Sequence, residues 1–109
     1  ALLREEIPAD PRITASGGGL LNSPAWAQIM ADVIGAPVVA SAVPEASSRG
    51  TALLTLQALG YINDLDAVDA PLGEIYQPNP ANHERYRRGR QRQQRLYDFL
   101  IAPGPNVLA

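Results

Sequence analysis

The sequence predicts an α/β fold, built strand–helix–strand–helix with a further helix at its C-terminal end. Three observations predict it. Two short runs, residues 12–16 and 37–41, are apolar or β-branched and stop at turn residues. Between them, apolar residues recur at helical spacing. Two further stretches, residues 44–59 and 80–101, read as helices bounded by proline and glycine.

The first run, with Ile13 and Thr14 inside it, fits a buried strand and ends in Gly17-Gly18-Gly19. A helix follows. Ser23 suits the N-cap and Pro24 the first helical position, where a missing N–H costs nothing. Trp26, Ile29, Met30, Val33 and Ile34 fall on one face and are expected to supply core, and Gly35 stands where a left-handed C-terminal residue belongs. Pro37-Val38-Val39-Ala40-Ser41 is the second strand. A strand–helix–strand unit predicts parallel neighbours with a right-handed crossover. The next helix is small-residued at first (Ala46, Ser47, Ser48, Gly50, Ala52) and apolar later (Leu53, Leu54, Leu56, Leu59). Residues 64–70 suit a short helical turn. Gly73-Glu74-Ile75-Tyr76 is extended, and Gln77-Pro78-Asn79-Pro80 turns into the last helix.

Composition narrows the function classes. The 109 residues are 46% hydrophobic and 18% charged, which suits one small globular domain rather than a disordered tail. The net charge is −2, so no global basic field draws the chain to nucleic acid or lipid. All nine basic residues are arginine. The absence of cysteine excludes a disulfide framework, and with a single histidine, His83, it leaves little for a transition metal, so no metal ligand is assigned. No apolar run reaches the ~20 residues of a membrane helix, and no signal peptide opens the chain. The expected location is cytoplasmic. Residues 1–7 read as the last turns of a helix already under way, and two or three strands are too few for a doubly wound sheet. Both suggest a chain that continues upstream.

The glycine turn carries the chemistry. A strand that enters a glycine-rich turn and then a helix can present free N–H groups to an anion, most often phosphate. No Gly-Lys-Ser/Thr follows, so this is not a P-loop, and Gly17-x-Gly19-x-x-Asn22 only imitates a dinucleotide fingerprint. On the residues alone, a phosphate site and a purely structural turn both stand.

The stretch Ile13-Thr14-Ala15-Ser16-Gly17-Gly18-Gly19-Leu20-Leu21-Asn22-Ser23-Pro24, continuing through Trp26, Gln28 and Asp32 to Gly35, closely resembles the adenosine-binding motif of FGGY-family carbohydrate kinases. Pro44-Glu45-Ala46-Ser47-Ser48-Arg49-Gly50-Thr51-Ala52 resembles the family's next helix, and Gly73 to Pro80 with Tyr86 its C-terminal tail. Leu20 to Pro24 is most similar to gluconokinases, with xylulokinases second. The resemblance implies the C-terminal part of an actin-like ATPase (ribonuclease H-like) domain, one of two flanking a cleft. It further implies transfer of the γ-phosphoryl group of ATP, with magnesium, to a sugar hydroxyl.

Carried over by position, Gly18 and Gly19 would present main chain to the α-phosphate and ribose, with Gly17 part of the same nucleotide-binding turn. Asn22 and Ser23 would lie near the adenine, with Leu20 and Leu21 walling the base. No acid in the chain matches the family's catalytic aspartate, so no catalytic residue is assigned. The catalytic base, the sugar site and most of the metal site are expected in the remainder of the kinase chain. The fragment alone is expected to be inactive.

Other residues have plainer readings. Ser23 can simply cap its helix. Trp26 suits core, Gln28 and Asp32 a structural pair, Glu45 a first-turn acid and His83 a solvated position. The last helix carries Arg85, Arg87, Arg88, Arg90, Arg92 and Arg95. Glu84 and Asp98 accompany them and no stacking aromatics interleave usefully, which argues against nucleic acid and for a solvated face or subunit contact. A homo-oligomer through this helix or an exposed sheet edge is the expectation if the chain self-associates. The alternative of another class is a non-catalytic α/β assembly module.

Overall fold

A computed structural model describes residues 10–101. The reading of residues 1–7 as a helix end therefore lies outside the described residues. The elements are β1 (Ile13–Ala15), α1 (Gly18–Leu21), α2 (Pro24–Ile34), β2 (Val38–Ser41), α3 (Ala46–Ala58), a 3-10 turn (Leu65–Ala67), β3 (Leu72–Tyr76) and α4 (Pro80–Leu100). The expected α/β order holds, with two additions: the glycines open a one-turn helix of their own, and the extended stretch before the last helix is a true strand.

The three strands form one sheet in the order β1-β2-β3. β1 and β2 are parallel, with Ile13 opposite Val38 and Ala15 opposite Ala40. β3 returns antiparallel on the other edge of β2, with Val38 opposite Tyr76 and an irregularity between Val39 and Ser41. At that irregularity a Cβ on Gly73 would stand 3.4 Å from the Ala40 carbonyl oxygen, so glycine lets the two backbones approach.

Local chemistry sets the helix ends. The Ser23 hydroxyl accepts from the Trp26 N–H at 3.3 Å, and Pro24 occupies the first turn. Gly35 closes α2 at φ 76°, donating its N–H to the Ala31 carbonyl at 2.8 Å. The Asn79 side chain caps α4 by accepting from the N–H groups of Ala81 and Asn82.

The core is small: Ala15, Ala31 and Val38 are buried, with Ile13, Leu20, Met30 and Tyr76 packed against them. The expected core face of α2 is corrected here. Ala27, Ala31 and Asp32 are its buried residues, whereas Trp26, Ile29 and Ile34 are exposed and Trp26 keeps 53% of its surface open. The alanines let the helix axis come close to the sheet, which turns the large side chains away from it. Leu54 and Leu56 of α3 and Leu59 at its C-terminal end are also exposed.

Candidate functional site

The parallel pair β1–β2 decides where a ligand can sit. Helix dipoles and loop N–H groups in such a unit gather outside the carboxyl ends of the strands. Here β1 ends at Ala15 and β2 at Ser41. Their loops bound a cleft of about 330 Å³ lined by Ser16, Gly17, Gly18, Pro44, Glu45, Ala46 and Ser47. The glycine turn forms one wall and the start of α3 the other.

The turn has a backbone that side chains rarely adopt. Gly17 stands at φ 106° and ψ 143°, a region open essentially to glycine alone. Its carbonyl accepts from the Leu21 N–H at 3.0 Å and that of Gly18 accepts from the Asn22 N–H at 3.0 Å, which closes α1. The N–H groups of Gly18, Gly19 and Leu20 belong to the first turn and have no intrahelical acceptor. None of them is spent on another backbone group among the described residues.

The space in front of the three glycines differs. A Cβ on Gly17 would meet nothing within 4 Å, and one on Gly18 only the Asn22 amide nitrogen at 3.9 Å. A Cβ on Gly19 would strike the Trp26 ring at 2.9 Å. Gly17 and Gly18 therefore face open cleft, while Gly19 is glycine because the indole lies on it. That contact gives the exposed Trp26 a role other than core.

Asn22 and Ser23 are brought beside the glycines as expected, at the junction of α1 and α2. Asn22 is exposed, and the Ser23 hydroxyl is engaged in capping. Glu45 is the residue before α3 and makes no side-chain cap bond, so its carboxylate is left at the cleft wall. The lining by Pro44, Glu45, Ala46 and Ser47 is what sequence reasoning missed. Its signal was present, since a loop after the second parallel strand must lie beside the loop after the first.

Behind the turn, α2 is held by a polar junction. Asp32 is 2% exposed. Its Oδ1 accepts from the Gln28 Nε2 at 2.9 Å and from the Asn79 backbone N–H at 2.7 Å, and its Oδ2 accepts from the Asn82 Nδ2 at 3.0 Å. The Gln28 amide also donates to the Gln77 carbonyl at 2.7 Å. The Asn79 N–H, then the Asn82 amide, hold the Asp32 carboxyl below the usual aspartate range despite its burial. The Gln28–Asp32 pair is thus structural as expected, but its Asp32 end is buried and locks α4 onto α2.

His83 joins the same junction, which corrects its reading as solvated. Its Nδ1 lies 2.9 Å from the Asp32 carbonyl oxygen and so carries the proton. Its ring covers Gly35, where a Cβ would come within 2.6 Å of it.

A family model described as the FGGY family of carbohydrate kinases, C-terminal domain, matches residues 3–59. The chain belongs to this family. A gluconokinase of Bacillus subtilis is 38% identical over 69 residues, which is 63% of this chain and 13% of the relative. An autoinducer-2 kinase of Photorhabdus laumondii is 31% identical over 94 residues, 84% of this chain and 17% of the relative. The crystal structure of a ligand-bound xylulose kinase from Lactobacillus acidophilus superimposes with a TM-score of 0.70 at 27% identity, covering 84% of this chain and 19% of that one. The FGGY chain therefore spans less than a fifth of the length of these relatives. Among the described residues no helix is long and apolar enough to cross a membrane, and no cluster of three or more His, Cys, Asp or Glu could hold a metal ion.

Proposed function

We propose that the 109 residues are the C-terminal part of the nucleotide-binding domain of an ATP-dependent sugar kinase with an actin-like ATPase fold. The observation that carries this reading is the open cleft at the carboxyl ends of β1 and β2, with uncommitted N–H groups of the glycine turn beside it. Space in front of Gly17 and Gly18, where a Cβ would meet almost nothing, fits a phosphate or ribose approaching the main chain.

In this reading ATP, with magnesium, supplies the transferred γ-phosphoryl group. The Gly17–Gly19 segment orients the nucleotide through main-chain N–H groups, and Asn22 and Ser23 border its base. Asn22 is exposed, with its side-chain amide unbonded among the described residues, whereas Ser23 acts by fixing the start of α2. No acid of this chain is given the role of base. Phosphoryl transfer depends on positioning and charge stabilisation by several elements, and those for the acceptor sugar belong to the remainder of the kinase. The segment alone binds part of a nucleotide and transfers nothing, and the whole enzyme works in the cytoplasm.

Gluconate is the first substrate to test, because the gluconokinase relative shares 38% identity with the chain. Xylulose is the second, favoured by the structural superposition. The test is an ATP-coupled phosphorylation assay of the full-length protein against a panel of sugars and sugar acids. Turnover of gluconate above all others is the expected result. Turnover of a pentulose alone moves the assignment to a pentose kinase, and no turnover of any sugar favours a non-catalytic assembly role.

A further inference from the structure

Helix α4 has 21 residues and is about 31 Å long. The side chains that tie it to α2, Asn82 and His83, lie within its first turn. The face that meets α2 does not stop there. Asn82, Tyr86, Gly89, Gln93, Leu96 and Leu100 follow one another at steps of three or four, on one side of the helix. Beyond α2 no element among the described residues covers this side: Leu96, Tyr97 and Leu100 keep 60%, 48% and 69% of their surface open. Neighbouring apolar side chains left this open on a folded protein point to a contact surface.

Two details say what fits it. Gly89 leaves a notch of about 430 Å³, lined by Asn82, Arg85, Tyr86 and Arg92. Glycine here weakens a helix by about 1 kcal/mol relative to alanine, but it lets another helix cross closely. Arg85 and Arg92 border the notch without an acid partner among the described residues, since the helix's ion pairs join Arg87 and Arg88 to Glu84.

We propose that this side of α4 is the docking surface for a helix from elsewhere in the same kinase polypeptide. That helix is apolar where it meets Leu96, Tyr97 and Leu100 and carries Asp or Glu along the edge that meets Arg85 and Arg92. Three arguments select this occupant. The surface continues the α2 interface, so a second helix beside α2 would extend one packed layer. The border is cationic, so the occupant is anionic there; a second copy meeting the same face would set arginine-rich edges against each other. In the curated relatives more than four fifths of the polypeptide lies outside the matched segment, which leaves ample chain to supply the helix.

The proposal rests on the kinase reading, and the test separates the two. A photo-crosslinking amino acid is placed at Gln93 in the full-length protein, and ATP binding is measured on the same sample. The expected product runs at monomer mass and joins position 93 to a helical peptide that contains acidic residues. Arg85→Glu with Arg92→Glu is expected to lower Tm by several degrees, and Gln91→Glu, on the opposite side of the helix, to leave it unchanged. A crosslink to a second copy, no crosslink, or equal Tm for the double variant and Gln91→Glu overturns the docking surface. Any of these with ATP binding intact leaves the kinase reading standing. An intramolecular crosslink without ATP binding upholds the surface and removes that reading.

Discussion

Replacing Gly35 with alanine tests how α2 and α4 are joined. Gly35 closes α2 at φ 76° and ψ 24°. A residue with a Cβ in that left-handed region costs about 1–2 kcal/mol. The new methyl would also stand 2.6 Å from the His83 ring, so the imidazole must leave. Its 2.9 Å bond to the Asp32 carbonyl goes with it, a loss of about 1 kcal/mol. The total is about 2–3 kcal/mol. Urea unfolding of the intact protein measures it, alone and in a double-mutant cycle with His83→Ala. Once the ring is gone, only the backbone cost of about 1–2 kcal/mol should remain. An equal cost in both backgrounds would refute the packing argument, and a cost near zero would refute the helix end itself.

Further outcomes follow from the same junction and from the turn. Asp32→Asn places an amide among three donors, so one of the bonds from Gln28, Asn79 or Asn82 must break. Amide exchange at the start of α4 should speed up, more than for Gln28→Ala. Acid should spare the junction at first. The folded Asp32 carboxyl ionises below its ordinary value of 3.8, so its contribution is fully present above that pH and is lost only as pH falls through the lower folded value. Carboxyl chemical shifts followed by NMR from pH 6 downward will show whether Asp32 stays ionised below 3.8. Glu84 is held down to about 2 by Arg87 and Arg88, but both arginines are exposed and Glu84 is itself half open. Glu84→Gln should leave Tm unchanged within error.

Much of the architecture was legible because it is local. Ser23-Pro24, Asn79-Pro80 and Gly35 announce helix ends through groups a few residues away. The β-branched runs announce β1 and β2, and the parallel pairing follows from the helix between them. The direction of α2's buried side was not legible. Trp26, Ile29 and Ile34 mark an apolar stripe, yet small residues win contact with a sheet because they allow the closer approach. The polar junction was half legible. Gln28 and Asp32 are one helical turn apart, but Asn82 comes from 50 residues further on and nothing local signals it. In the cleft, the glycine turn stood out through its composition. Its opposite wall at Pro44–Ser47 did not, because that wall exists only once two parallel strands lie side by side.

Gly18 is the position at which nucleotide binding by the glycine turn can be put to the test. A Cβ there meets no atom beyond its own helix backbone closer than 3.9 Å and needs no unusual φ, so Gly18→Leu should fold as wild type and extend its side chain toward the cleft. Calorimetric titration of full-length wild type and Gly18→Leu with ATP, alongside their Tm values, is the measurement. The account predicts equal Tm and an ATP affinity at least about tenfold weaker in the variant, a change of about 1.4 kcal/mol. Equal affinity at equal Tm would contradict it.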